Sequence, residues 1–139
     1  MNQIVLISCV SKKLENKSKA KDLYLSSLFT KSLKYATSIK PDNIFILSAK
    51  YGLVGLNQEI EPYDITLNKM YPNEIKDWAK IVLNQLNKST DLKIDEFIFL
   101  AGNNYRKHLL PEITNYKIPM EGLRIGEQLR WLTKKNKSE

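Results

Sequence analysis

Three short runs of apolar, largely β-branched or aromatic residues punctuate the chain, at Gln3–Ser8, Asn43–Ser48 and Glu96–Ala101. Each is strand-sized and continuous rather than alternating, the pattern of a strand covered on both faces. Between them the period changes to that of a helix. Leu25, Leu28, Phe29, Ser32, Leu33 and Ala36 fall on one face of a helix predicted over Leu23–Ile39, which Pro41 and Asp42 end. Ile75, Trp78, Ala79, Val82, Leu83 and Leu86 mark a second, with Pro72 in its first turn. Gly102-Asn103-Asn104 opens a third that runs to about Leu110, where Pro111 stops it. Lys117–Pro119 reads as a short fourth strand and Ile125–Leu132 as a last helix, whereas the polar, lysine-rich residues 10–22 read as a loop.

Strands alternating with helices predict an α/β fold: a single three-layer domain over residues 1–133, with a mostly parallel sheet of about four strands flanked by helices. Residues 134–139 are expected to form a basic, disordered tail. Right-handed crossovers bring the carboxyl ends of parallel strands to one edge, where open α/β sheets bind their ligands. Polar groups follow each strand at that edge. Strand one ends Ser8-Cys9, with Lys12 and Lys13 beyond; strand two ends Ser48-Ala49-Lys50-Tyr51-Gly52; strand three ends Ala101-Gly102-Asn103-Asn104-Tyr105-Arg106. The long segment after strand two carries Glu61-Pro62-Tyr63-Asp64 and is too apolar for disorder, so it is expected to wall the crevice. Arg124 and Gln128, one helical turn apart, are expected to point into it together.

Composition narrows the chemistry. With 139 residues, 42% hydrophobic and 27% charged, the chain is sized for one core, and its longest apolar run is far short of a membrane span. No membrane association is expected. Met-Asn-Gln-Ile lacks the basic and apolar regions of a signal peptide, and Cys9 is the only cysteine; both point to the cytoplasm. A net charge of +7 favours a polyanionic partner, nucleic acid or a nucleotide. One cysteine and one histidine, His108, make a poor metal-ligand set, and neither dinucleotide-binding nor Walker fingerprint occurs, so no metal or cofactor is expected.

Several motifs stand together: Ser8-Cys9 with Lys12 and Lys13, Leu23-Tyr24-x-Ser26-x-x-Phe29, Ser48-Ala49-Lys50-Tyr51-Gly52-Leu53, Glu61-Pro62-Tyr63-Asp64, Ala101-Gly102-x-x-Tyr105 and Gly122-Leu123-x-Ile125-Gly126-x-Gln128-Leu129-x-Trp131-Leu132. In this order they resemble a family of short bacterial and phage proteins of unassigned function. They are distantly similar to YaaA-like peroxide-stress proteins and to an archaeosine synthase domain. That wider resemblance implies a uracil-DNA-glycosylase-like fold and a link to nucleic acids or modified bases.

The leading expectation is an enzyme acting on a nucleobase within a nucleotide or nucleic acid, most concretely by N-glycosidic cleavage or base exchange. Such a reaction develops positive charge on the sugar and needs a carboxylate, an aromatic face and amide groups for the base edge. Asp64, with Glu61 as the alternative, is the candidate catalytic carboxylate. Tyr63 or Tyr51 would stack on the base, and Asn103 or Asn104 would read it. Lys12, Lys50, Arg106 and Arg124 would hold phosphates, while Cys9, Ser48, Tyr105 and Gln128 complete the candidate substrate-binding set. The competing expectations are a non-catalytic nucleic-acid-binding or stress-response module and an enzyme of free nucleotides.

Overall fold

A computed structural model describes residues 1–8, 13 and 15–137. The three apolar runs form strands β1 (Gln3–Ser8), β3 (Asn43–Ser48) and β6 (Glu96–Leu100). With β4 (Gly52–Gly55) and β7 (Tyr116–Lys117) they make a five-stranded sheet in the order β4-β3-β1-β6-β7. All neighbours in it are parallel except β3 and β4, which are antiparallel. Two-residue strands β2 (Ser18–Lys19) and β5 (Glu59–Ile60) pair separately. The helices are α1 (Ala20–Leu23), α2 (Ser27–Ser38), α3 (Pro72–Ser89), α4 (Asn103–Arg106) and α5 (Ile125–Lys137). The fold is thus α/β, with a mostly parallel sheet flanked by helices.

The central strand β1 buries Ile4, Val5, Leu6 and Ile7 completely, which explains its unbroken apolar run. From β1 the chain crosses to β3 on one side; from β3 it passes back over β1 to β6 on the other. Right-handed crossovers in opposite directions put α2 and α3 on opposite faces. Helix α2 packs on α5 and over β1, and α3 packs on β4 and α4. The strand order therefore reverses between β1 and β6, and a crevice opens outside their carboxyl ends.

The differences from the sequence reading are local. Helix α2 begins at Ser27 because Tyr24 is extended and the Ser26 side chain caps the helix, accepting the Phe29 N–H at 3.1 Å. The helix predicted from Gly102 is only the turn α4. Helix α5 continues to Lys137, through residues read as a tail. The segment after β3 turns back at once as β4. Gly52 makes that reversal with φ +74°, and a Cβ there would run into Gln85 Oε1, which accepts the Leu53 N–H.

Asp95 fastens the entry to β6. Its buried carboxylate accepts the Asn2 N–H at 2.9 Å and the Asp91 N–H at 2.8 Å. Those bonds, Asp91 first, hold its carboxyl below the usual carboxylate range, and the nearby N-terminal amino group adds to them. A depressed folded-state pKa contributes stability that is complete above the unfolded value and is lost as pH falls through the folded one. Asp95→Asn is therefore expected to lower stability by about 2 kcal/mol at neutral pH. The gap to the parent should close below about pH 4, as urea midpoints at acidic and neutral pH would read.

Candidate functional site

At the reversal between β1 and β6 lies a cavity of about 460 Å³. Ser8 from the end of β1 and Leu100, Ala101 and Gly102 from the end of β6 form its floor. The Gly102 N–H donates to the Ser8 hydroxyl at 3.1 Å and joins the two strand ends. The first turns of α2 supply Ser26, Phe29 and Ser32; α5 supplies Ile125, Gln128 and Leu129. Met120, Tyr105 and Asn68 complete the walls.

The polar groups that the described residues bring to this cavity are neutral. Among the described residues lining it there is no carboxylate and no cationic side chain. Its two amides are each half engaged. Gln128 donates through Nε2 to the Leu123 carbonyl at 2.9 Å, which turns its own carbonyl away from that bond. Asn68 accepts through Oδ1 from Asn104 Nδ2 at 2.8 Å and keeps its amino group. Ser32 is 2% exposed, on the buried face of α2, and its hydroxyl bonds to no described residue. One amide acceptor, one amide donor and a hydroxyl are thus set among apolar walls.

A second cluster gathers aromatic and basic groups. Tyr63 is buried and its hydroxyl lies 2.6 Å from that of Tyr24. Tyr51 meets the Tyr63 ring edge-on at 5.8 Å, and the Lys13 ammonium sits 4.5 Å from the centre of the same ring. Lys50 lies 5.3 Å from the Tyr51 ring centre, and the Tyr51 hydroxyl donates to the Glu61 carbonyl at 3.4 Å. The two clusters are linked: Tyr24 packs 5.1 Å from Phe29, a cavity wall.

The chain-distant segments singled out in sequence do meet, but their side chains divide. Tyr105 and Gln128 line the cavity. Tyr105 is buried, its hydroxyl accepts the Leu67 N–H at 3.5 Å, and its ring meets Trp78 edge-on. Asn104 stands one hydrogen bond behind Asn68, and Asn103 is exposed beside Gly102. The Arg106 guanidinium is tied to the Ala101 carbonyl at 2.6 Å. Ser48 is fully buried; its hydroxyl accepts the Tyr51 N–H and its carbonyl accepts the Trp78 indole N–H, so it holds the turn out of β3. Tyr51, Tyr63 and Lys50 belong to the second cluster. Asp64 and Glu61 are exposed and line no part of the cavity. Arg124 is exposed, next to the cavity residue Ile125; its N–H donates to Glu127. Cys9 and Lys12 lie outside the described residues. Burial, then Lys107 and Lys76, hold the His108 imidazole below its ordinary value.

A model for DUF6884, a family of unknown function, matches residues 4–134. The chain belongs to that family. The DUF6884 match runs from β1 into α5, so it takes in every described wall of the cavity. No curated protein matches the chain. No helix among the described residues is long and apolar enough to cross a membrane.

Sequence reasoning missed Asn68, Ser26 and Ser32. The available signal was Ser32 itself, a hydroxyl at a position the helical period assigns to the apolar face. Asn68 carried no signal, because its place depends on where the segment after β5 returns to the sheet edge.

Proposed function

We propose that the cavity binds a nucleobase, and that the protein acts on the nucleotide carrying it by N-glycosidic cleavage or base exchange. The observation that carries this reading is the lining: apolar walls with an amide acceptor on Gln128, an amide donor on Asn68 and neutral hydroxyls. A heterocycle with donors and acceptors on its edge is recognised by such groups, and a volume of about 460 Å³ lies in the range of small-ligand sites. The distant resemblance to uracil-DNA-glycosylase-like domains points the same way, as analogy.

In this reading the carboxylate comes from the loop at the cavity's edge. Asp64 precedes the wall residue Asn68 by four residues, at most about 14 Å of extended chain. It would stabilise developing charge on the sugar or orient a water there, with Glu61 as the alternative. Release of base from oligonucleotides carrying modified bases tests the chemistry. Asp64→Asn should slow release by about 100-fold or more. Equal rates in variant and parent would remove Asp64 from the role.

A second reading has its own support. Both acidic candidates stand outside the cavity, so the protein can be a binding module that recognises a base without cleaving its bond. Saturable base binding with no release from any substrate would establish it.

A further inference from the structure

The outer face of α5 carries charge that the cavity does not use. From Arg124 to Lys137 five cations stand against one carboxylate, Glu127, so this stretch carries a large part of the chain's net +7. Three of the five share one side, whereas Lys135 lies 5.4 Å from the centre of the Trp131 ring. Leu132 is fully buried, Trp131 packs edge-on to Tyr35 at 5.1 Å, and Gln128 and Leu129 face the cavity. Arg130, Lys134 and Lys137, spaced four and three residues apart, are all exposed on the opposite face. Two shallow grooves meet at Arg130. One is lined by Leu129, Arg130, Thr133, Lys134 and Lys137, the other by Arg124, Gly126, Glu127 and Arg130. The second ends one residue from Ile125, a wall of the cavity.

We infer that this face is a track for the phosphate backbone of a single-stranded nucleic acid, whose unpaired base enters the cavity. The inference deepens the nucleobase reading, on which it rests, by making the substrate a polymer rather than a free nucleotide. Arg124 to Lys137 spans about 20 Å of helix, enough for roughly six stacked nucleotides. A single strand is favoured over a duplex because a base inside the cavity cannot be paired. An anionic membrane is the other surface a basic helix meets, but it requires an apolar face to insert. In α5 Leu132 is buried and Trp131 packs on Tyr35, Leu129 lines the cavity, and Ile125 alone stands exposed as a large apolar side chain, too little to insert.

The test is binding of an unstructured oligothymidylate across a salt series, by fluorescence anisotropy, with the full chain and with Arg130→Ser/Lys134→Ser/Lys137→Ser. Losing three phosphate contacts should reduce the log–log salt slope by about 2 for a single strand. The same variant should bind a free nucleoside as the parent does, because none of its changes removes a polar group of the cavity. Equal slopes in parent and variant, or a flat slope in the parent, overturn the inference. Unchanged nucleoside binding alongside either result leaves the cavity reading standing. Binding of phosphatidylserine vesicles lost in the variant, with oligonucleotide binding intact, would also overturn it.

Discussion

Trp78→Ala is expected to destabilise the protein by about 4 kcal/mol, a large share of a typical domain's stability. Trp78 is 6% exposed, on the buried face of α3. Its indole N–H donates to the Ser48 carbonyl at 2.9 Å, and its ring packs 5.6 Å from that of Tyr105. Removing it leaves a cavity beneath the sheet edge and a buried carbonyl without its partner. Because Tyr105 in turn holds Leu67, the damage should reach the turn that presents Asn68. Trp78→Phe separates the two causes. It keeps most of the ring but not the donor, so its cost should be nearer 1–3 kcal/mol. Urea midpoints of the three proteins would give the comparison.

The second large effect is expected on binding rather than on folding. Ser32 lines the cavity from α2, and its hydroxyl has no bond to a described residue to lose. Ser32→Phe would place a ring in the space the base is meant to occupy. Affinity for a nucleoside should fall by about 100-fold, near 3 kcal/mol, whereas overpacking should cost about 1–3 kcal/mol of stability. Thermal unfolding beside a binding titration distinguishes a blocked site from a lost fold. Ser32→Ala, which removes only the hydroxyl, should bind more weakly than the parent yet far better than Ser32→Phe.

The layout of the sheet was legible because burial on both faces leaves a continuous apolar run. Gln3–Ser8 and Asn43–Ser48 have the same bounds in the apolar pattern and in the structure for that reason, and α3 is equally plain from its stripe around Trp78. The segment after β3 was less so. Its polar, glycine-punctuated sequence reads as loop, but Gly52 reverses it into β4, and Val54 pairs with Ile46 to extend the sheet. A four-residue strand that begins and ends in glycine has too few positions to show a period. The helix start at Ser27 was obscured because Leu23 and Tyr24 are buried and so continue the apolar pattern, although Tyr24 is extended. Local capping by Ser26 decided the boundary, not the stripe.

At the site, the edge of the sheet was predictable from topology, whereas the direction of each side chain was not. Ser48 and Arg106 are chemically suited to ligands, yet both bond to the backbone that frames the crevice. Tyr63 offers an aromatic ring, yet its hydroxyl and its ring are engaged by Tyr24, Tyr51 and Lys13. Residue type alone does not distinguish a group that frames a pocket from one that lines it. Gln128 was legible because one helical turn fixes its direction relative to Leu132, the buried residue of α5.

The most direct measurement is a titration of the isotopically labelled full chain with free nucleobases and nucleosides, followed by its amide NMR signals. The account predicts that at least one of them shifts the side-chain amides of Gln128 and Asn68 and the Gly102 N–H saturably, with one dissociation constant. Signals on the exposed face of α3 should stay in place. Absence of any shift at those three groups at millimolar ligand, or shifts confined to surfaces away from the cavity, would contradict it.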